Sequence, residues 1–224
     1  MEAYGQAYGF ILYRTRLQNA AHSTLALPGL NDCAQIYVNK QFEGTVDRRL
    51  KQTSVHVDAS AGTTLDILVE NDGRVNSSHA MRRAAKGLPQ GATLDGTPLK
   101  HWQVFTLPME NFHAVHFHRG TPPAGPAFWR GLFRIGSIGD TFLDVRNLKK
   151  GAVWINGHAI GRYWDIGPQG TLYVPGPWLH RRWNQIVIFD VEDLKSPHLA
   201  GLTQTILDEL VRDSDALSAV TAAN

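Results

Sequence analysis

The chain has 224 residues, 43% of them hydrophobic, which suffices for one large domain or two of about 100 residues. A formal net charge of +2 and scattered basic residues give no case for nucleic acid or an acidic membrane surface, and no apolar run approaches the roughly 20 residues of a membrane span. The single cysteine, Cys33, excludes an intrachain disulfide. The opening MEAYGQAYGF lacks the basic-then-apolar pattern of a secretion signal, so a native start at Met1 implies a cytoplasmic protein.

In chain order, Gly9 to Leu17 alternates as a half-buried strand, with Phe10 and Leu12 on one face and Ile11 and Tyr13 on the other. Ala34 to Arg48 reads as a hairpin, Leu65 to Glu70 as a strand, and His101 to Leu107 as the strand that closes the first half. Arg119 to Pro126 is rich in residues that break both helix and strand and is the best linker candidate. Ala127 to Ile135 and Thr141 to Val145 are further strands. From Gly151 to Trp178, two strands flank the tight-turn pair Asn156-Gly157, Thr171 to Val174 follows as a short strand, and Pro175-Gly176-Pro177 stops it. Asn184 to Phe189 is the last strand. Gly201 to Val211 places Leu202, Ile206, Leu207 and Leu210 at helical spacing and predicts a short C-terminal helix, and residues 213–224 are small and polar and predict a disordered tail.

An internal repeat runs through these pieces. Ile36-Tyr37-Val38-Asn39-Lys40 and Gly44 lie over Val153-Trp154-Ile155-Asn156-Gly157 and Gly161 at a constant offset of 117 residues, with strands before and after both copies. Two tandem copies of one β-domain account for this, and many short strands with Gly/Pro turns mean an all-β sandwich or jelly roll. The boundaries expected are 1–110 for the first β-sandwich, 111–126 for a linker, 127–212 for the second sandwich with its helix, and 213–224 for the tail.

The string Gly151 to Pro175 resembles the C-terminal signature of family 35 glycoside hydrolases, the β-galactosidases, in which G-x-V-W-V-N-G-x-x-L-G-R-Y-W precedes G-P-Q-x-T-L-Y-V-P. Tyr8 to Thr15 resembles the family's Y-G-x-x-L-Y-R-T at the start of its first β-domain. Leu65 to Asn76 is similar to L-x-I-L-V-E-N-x-G-R-x-N, and Ala127 to Phe133 to the opening of its second domain. The resemblance implies two tandem galactose-binding-like jelly rolls, carbohydrate metabolism, and β-galactosides as ligands. The family's chemistry rests on two glutamates of a (β/α)₈ barrel. Seven residues precede Tyr8, so neither glutamate has a counterpart here.

Three functions follow. One is a non-catalytic region that supports a catalytic barrel and shapes its galactoside entrance; the second is a freestanding carbohydrate-binding module. The third, a small glycosidase, would need paired carboxylates from Glu70, Asp72, Asp140, Asp144 and Asp165, of which Glu70 and Asp72 read equally well as strand-end partners of Arg74. Sugar binding needs an aromatic ring against the apolar face of a pyranose with polar groups around it, which singles out Trp164 and Trp178 by turn-rich loops, His158 and Arg162 by the Asn156-Gly157 turn, and Arg74 and Asn76 in the corresponding region of the first domain. Trp154, mid-strand, reads as core. His113, His116 and His118 lack the accompanying ligands of a zinc site, and no metal is assigned. Jelly rolls of this type often hold a structural calcium ion, though no dense Asp/Asn loop marks one, and no other cofactor is expected.

Overall fold

Apolar residues at every second position set the sheets. In β1 (Phe10–Arg16), Ile11 and Tyr13 turn inward; in β3 (Cys33–Val38), Ala34, Ile36 and Val38 do so; in β6 (Thr64–Glu70), Leu65, Ile67 and Val69 complete the layer. The computed structural model describes residues 1–18, 21–77, 79, 81, 84–110, 112, 115–120 and 124–207. The chain divides into two units, Met1–Phe112 and His113–Asn224.

The first unit adds β2 (Ala21–Ala26), β4 (Gln41–Asp47), β5 (Ser54–Ala59), β7 (Thr93–Leu94), β8 (Thr97–Pro98) and β9 (Gln103–Leu107). One antiparallel sheet runs β4-β3-β6-β1-β9 and the other β5-β2-β7-β8. Leu25, Leu27, Val46 and Val57 join the inward residues above in a core that is almost wholly shut off from water. Each such side chain contributes on the order of 2 kcal/mol of burial.

The second unit contains β10 (Ala127–Ile135), β11 (Thr141–Asp144), β12 (Lys150–Ile155), β13 (His158–Trp164), β14 (Thr171–Val174), β15 (Arg182–Asp190) and β16 (Ala200–Leu202). Its sheets run β13-β12-β15-β10 and β14-β11-β16. Leu143, Val153, Ile155, Leu172, Val174 and Ile188 are buried between them. Both units are therefore all-β sandwiches.

The repeat is visible in the backbone. Both hairpins turn on two residues of positive φ, Asn39 (49°) with Lys40 (69°) and Asn156 (49°) with Gly157 (84°), as a two-residue hairpin loop requires. Each carries a bulge at the same place, between Ile36 and Tyr37 and between Val153 and Trp154. Ile36 opposes Gly44 as Val153 opposes Gly161, and in both copies a Cβ on the glycine would press on a core side chain, Val55 at 2.7 Å or Leu172 at 3.2 Å. The order β4-β3-β6-β1 in one unit matches β13-β12-β15-β10 in the other.

The expected C-terminal helix is corrected where the structure describes it. Ala200–Leu202 is strand β16, paired with β11 through Phe142 and Leu202. Beyond it the Ile206 N–H donates to Thr171 Oγ1 at 3.1 Å, and the Ile206 carbonyl accepts from the Gly170 N–H at 3.3 Å. The backbone hydrogen bonds that the edge of a three-stranded sheet offers outweigh the helical spacing of Leu202 and Ile206. Residues 208–211 of that expected helix, and the tail from 213, lie outside the described residues.

Candidate functional site

Strand β13 positions three of the sequence-predicted site residues, and its bulge sorts them. Ile155 opposes His158, Trp154 opposes Ala159, Val153 opposes Gly161, and Ala152 opposes Arg162. Ile160 is the extra residue. His158 therefore falls on the side of the inward Ile155, whereas Arg162 and Trp164 share the outer face with Ala152 and Lys150. The two residues expected together beside the turn are separated to opposite faces.

At the tip of the hairpin the His158 ring stacks on Trp178, with centroids 4.7 Å apart and planes 12° from parallel. Trp178 ends a single 3₁₀ turn, Gly176–Trp178, begun by the Pro175 that terminates β14. Asn156 fixes this corner. Its Nδ2 donates to the Trp178 carbonyl and to Asn184 Oδ1, each at 2.8 Å, and its Oδ1 accepts from the Gln185 N–H at 2.9 Å. Asn184, 1% exposed, also bridges the His180 backbone, accepting from its N–H at 2.7 Å and donating to its carbonyl at 2.9 Å. His158 is exposed and Trp178 half-buried, so this corner presents an aromatic pair with amide groups behind it.

At the other end of β13, Trp164 is half-buried with the Lys150 ammonium 3.7 Å from its ring centroid, a cation–π contact. Asp165 is exposed, 3.5 Å from the Lys149 ammonium. Asp190, with no exposed surface, accepts from the Tyr163 hydroxyl at 2.9 Å and from the N–H groups of Glu192 (2.9 Å) and Lys149 (3.1 Å). Burial raises its pKa and these donors oppose the rise. Burial likewise pushes the half-buried Glu192 up, reinforced by the negative charges of Asp165 and Asp190 and opposed by Lys149 and Lys150. Neither Asp190 nor Glu192 stood out in the sequence. The conversion of each into a perturbed carboxyl draws in part on residues distant in sequence, Tyr163 and Lys149 for Asp190 and Asp165 for Glu192.

Of the other sequence-predicted carboxylates, Asp140 and Asp144 have structural partners. Asp140 accepts from the Gly176 N–H at 2.8 Å, and this bond and the Tyr173 hydroxyl hold it below the usual carboxylate range. Asp144 is lowered by Arg146, whose Nη2 lies 2.9 Å from Oδ2. In the first unit, Glu70 is buried at the end of β6 and its carbonyl accepts from the Asp32 N–H at 3.1 Å; the Asp72 N–H donates to Asp32 Oδ2 at 3.0 Å. Arg74 bonds elsewhere, to the Ala7 carbonyl at 2.9 Å and the Glu2 carboxylate at 2.8 Å. Asn76 is exposed in the same segment.

Two further expectations change in detail. Trp154 is buried as expected, but it faces outward from the sheet, on the side of Ala159. Trp183, one of the second-half tryptophans that the sequence suggests are mostly core, is 61% exposed, and Leu132 on the neighbouring strand is 67% exposed. The alternation of β15 carried that signal, since Asn184, Ile186 and Ile188 turn inward and leave Trp183 outward. His113 lies outside the described residues, and among those described no three His, Cys, Asp or Glu side chains are grouped to hold a metal ion.

Residues 1–108 match the family described as "Beta-galactosidase, first all-beta domain", and residues 126–184 match "Beta-galactosidase, galactose-binding domain". The chain belongs to the β-galactosidase family. It is 45% identical over 175 residues to a β-galactosidase of Xanthomonas manihotis, covering 78% of this chain and 29% of that protein. To the human β-galactosidase-1-like protein 2 it is 38% identical over 203 residues, covering 87% and 31%. This chain thus spans less than a third of the length of either relative. Among solved structures, a Pleurotus ostreatus lectin is similar at 13% identity and a TM-score of 0.25, covering 88% of this chain and 72% of the lectin, too slight a likeness to bear on the site.

Proposed function

We propose that the chain is the non-catalytic β-domain region of a β-galactosidase-like glycoside hydrolase. It supports a catalytic barrel formed by the rest of such an enzyme, and the His158–Trp178 corner contributes contacts to β-galactosides. The state of the carboxyl groups carries this reading. A retaining glycosidase needs one protonated and one ionised carboxyl, about 5 Å apart and open to substrate. Here Asp140 and Asp144 are held ionised by structural donors, and Asp190, whose pKa is raised, is sealed from solvent; Glu192, also raised by burial and by the Asp165 charge, is half-buried, and its Gln variant is the check on this reading. The exposed Leu132 and Trp183 supply apolar surface for an intramolecular partner.

The experiment is complementation. The Xanthomonas manihotis β-galactosidase, cut back to the part this chain does not match, is purified and mixed with the 224-residue protein. Recovery of galactoside hydrolysis above that of the cut-back enzyme alone is expected. No recovery, together with no co-elution of the two proteins, would remove the supporting role. A freestanding carbohydrate-binding module is the second reading, favoured by the aromatic pair at His158 and Trp178. Saturable galactose binding without complementation would select it.

A further inference from the structure

The repeated sheets of the two units agree strand for strand and then part at one edge. In the first, the sheet continues beyond β1 to β9, with Tyr13 opposite Val104 and Phe10 opposite Leu107. In the second, β10 takes the place of β1, since Trp129 opposes Ile188 as Tyr13 opposes Ile67. Among the described residues, β10 pairs with β15 alone. The consequence shows in burial: β1 is mostly buried, whereas no residue of the nine in β10 is. A long edge strand of this kind leaves a row of backbone N–H and C=O groups available for another strand.

Beneath that edge lies a groove of about 680 Å³ that opens between β10 and β16, with Trp129, Phe133, Ile135, Ile186 and Leu199 on its walls. In the first unit, Val104 of β9 and the preceding Trp102 pack against the core. The Trp129 indole N–H is buried and finds no hydrogen-bond partner among the described residues. On the outer side of β10, Arg134 is exposed and Arg130 lies over the Phe117 ring, 4.5 Å from its centroid. The counterpart of Arg130 in the first unit, Arg14, lies over Phe105 of β9, 5.8 Å from the ring centroid.

We propose that β10 accepts an extended segment from the part of a β-galactosidase chain outside these 224 residues. The segment adds antiparallel as a fifth strand, its alternate apolar side chains fill the groove, and its outward positions set an aromatic or acidic group against Arg134. Strand addition of this type draws affinity from main-chain hydrogen bonds and selectivity from pockets for every second side chain. The occupant follows from the repeat, which supplies the same strand within the first unit, and from the relatives, of which this chain matches 29–34%. The source of the segment rests on the function proposed above.

Peptides of about ten residues, tiled across the unmatched part of the Xanthomonas manihotis β-galactosidase, are added singly to the 224-residue protein, and amide hydrogen exchange is followed through β10. One peptide with alternating apolar residues is expected to slow exchange at alternate β10 amides by about tenfold or more. The same peptide N-methylated at alternate amides should lose that effect. The proposal is overturned if no peptide slows β10, if the N-methylated peptide acts equally well, or if all β10 amides are already slow without peptide. Hydrolysis of galactosides by the chain alone would remove the non-catalytic reading and leave the exchange result standing.

Discussion

Asn156 joins the hairpin turn to the Trp178 corner, and its replacement separates two effects. Asn156→Ala removes three hydrogen bonds, to the Trp178 carbonyl, to Asn184 Oδ1 and from the Gln185 N–H. Each is worth about 1 kcal/mol net. Asn156 also has φ of 49°, and placing alanine there adds about 1 kcal/mol, because a Cβ crowds the backbone in the left-handed region and asparagine tolerates it better. The total loss is about 4 kcal/mol. Asn156→Gly forfeits the same three bonds without the backbone term and should cost about 3 kcal/mol. Urea unfolding monitored by tryptophan fluorescence suits the measurement, since five of the six tryptophans lie in the second unit. With a slope of about 2 kcal/mol per molar urea, the alanine midpoint drops by about 2 M and the glycine midpoint by about 1.5 M. A loss below 1 kcal/mol for both would refute the network. Equal losses for the two would refute the backbone contribution.

Further outcomes follow from the same contacts. Glu192→Gln should raise the melting temperature at pH 7 and leave it unchanged at pH 4. The folded-state pKa of Glu192 is raised, so its contribution is fully present below the ordinary value of 4.5 and is lost as pH rises through the folded value. A gap between variant and parent that is equal at both pH values would contradict the burial of that carboxyl. Gly151→Ala should destabilise the second unit by about 3 kcal/mol or more, because its Cβ would fall 1.8 Å from the Phe189 carbonyl oxygen; Gly139→Ala, with open space around it, should stay within about 0.5 kcal/mol. Thermal melts compare the two. Leu132→Ser combined with Trp183→Ser should leave the melting temperature within a degree or two of the parent while weakening co-elution with the cut-back Xanthomonas manihotis enzyme; unchanged co-elution would move the docking surface elsewhere.

Much of the fold was legible because local and tertiary signals coincide in it. Asn156-Gly157 specifies a two-residue turn, and Val153 and Ile155 alternate into the core on one side of it. The weaker copy, Asn39-Lys40, became readable through its repeat, and the structure gives both turns the same positive-φ pair. β16 was misread because Leu202 and Ile206 fit a helical period, whereas the vacant side of β11 is invisible in the sequence. The site was less legible for a related reason. A single bulge residue, Ile160, reverses the facing of every position before it on β13 and so parts His158 from Arg162. The carboxylates likewise depend on long-range donors, Gly176 for Asp140 and Tyr163 for Asp190, which no local pattern announces.

The most direct test of a non-catalytic role is hydrolysis of a chromogenic aryl β-galactoside by the purified 224-residue protein at high concentration, from pH 4 to 8. No rate above the buffer blank, with Asp144→Asn and Glu192→Gln variants indistinguishable from the parent, is expected. A rate that follows the protein through purification and vanishes on either substitution would make it a small glycosidase with its site inside these sandwiches.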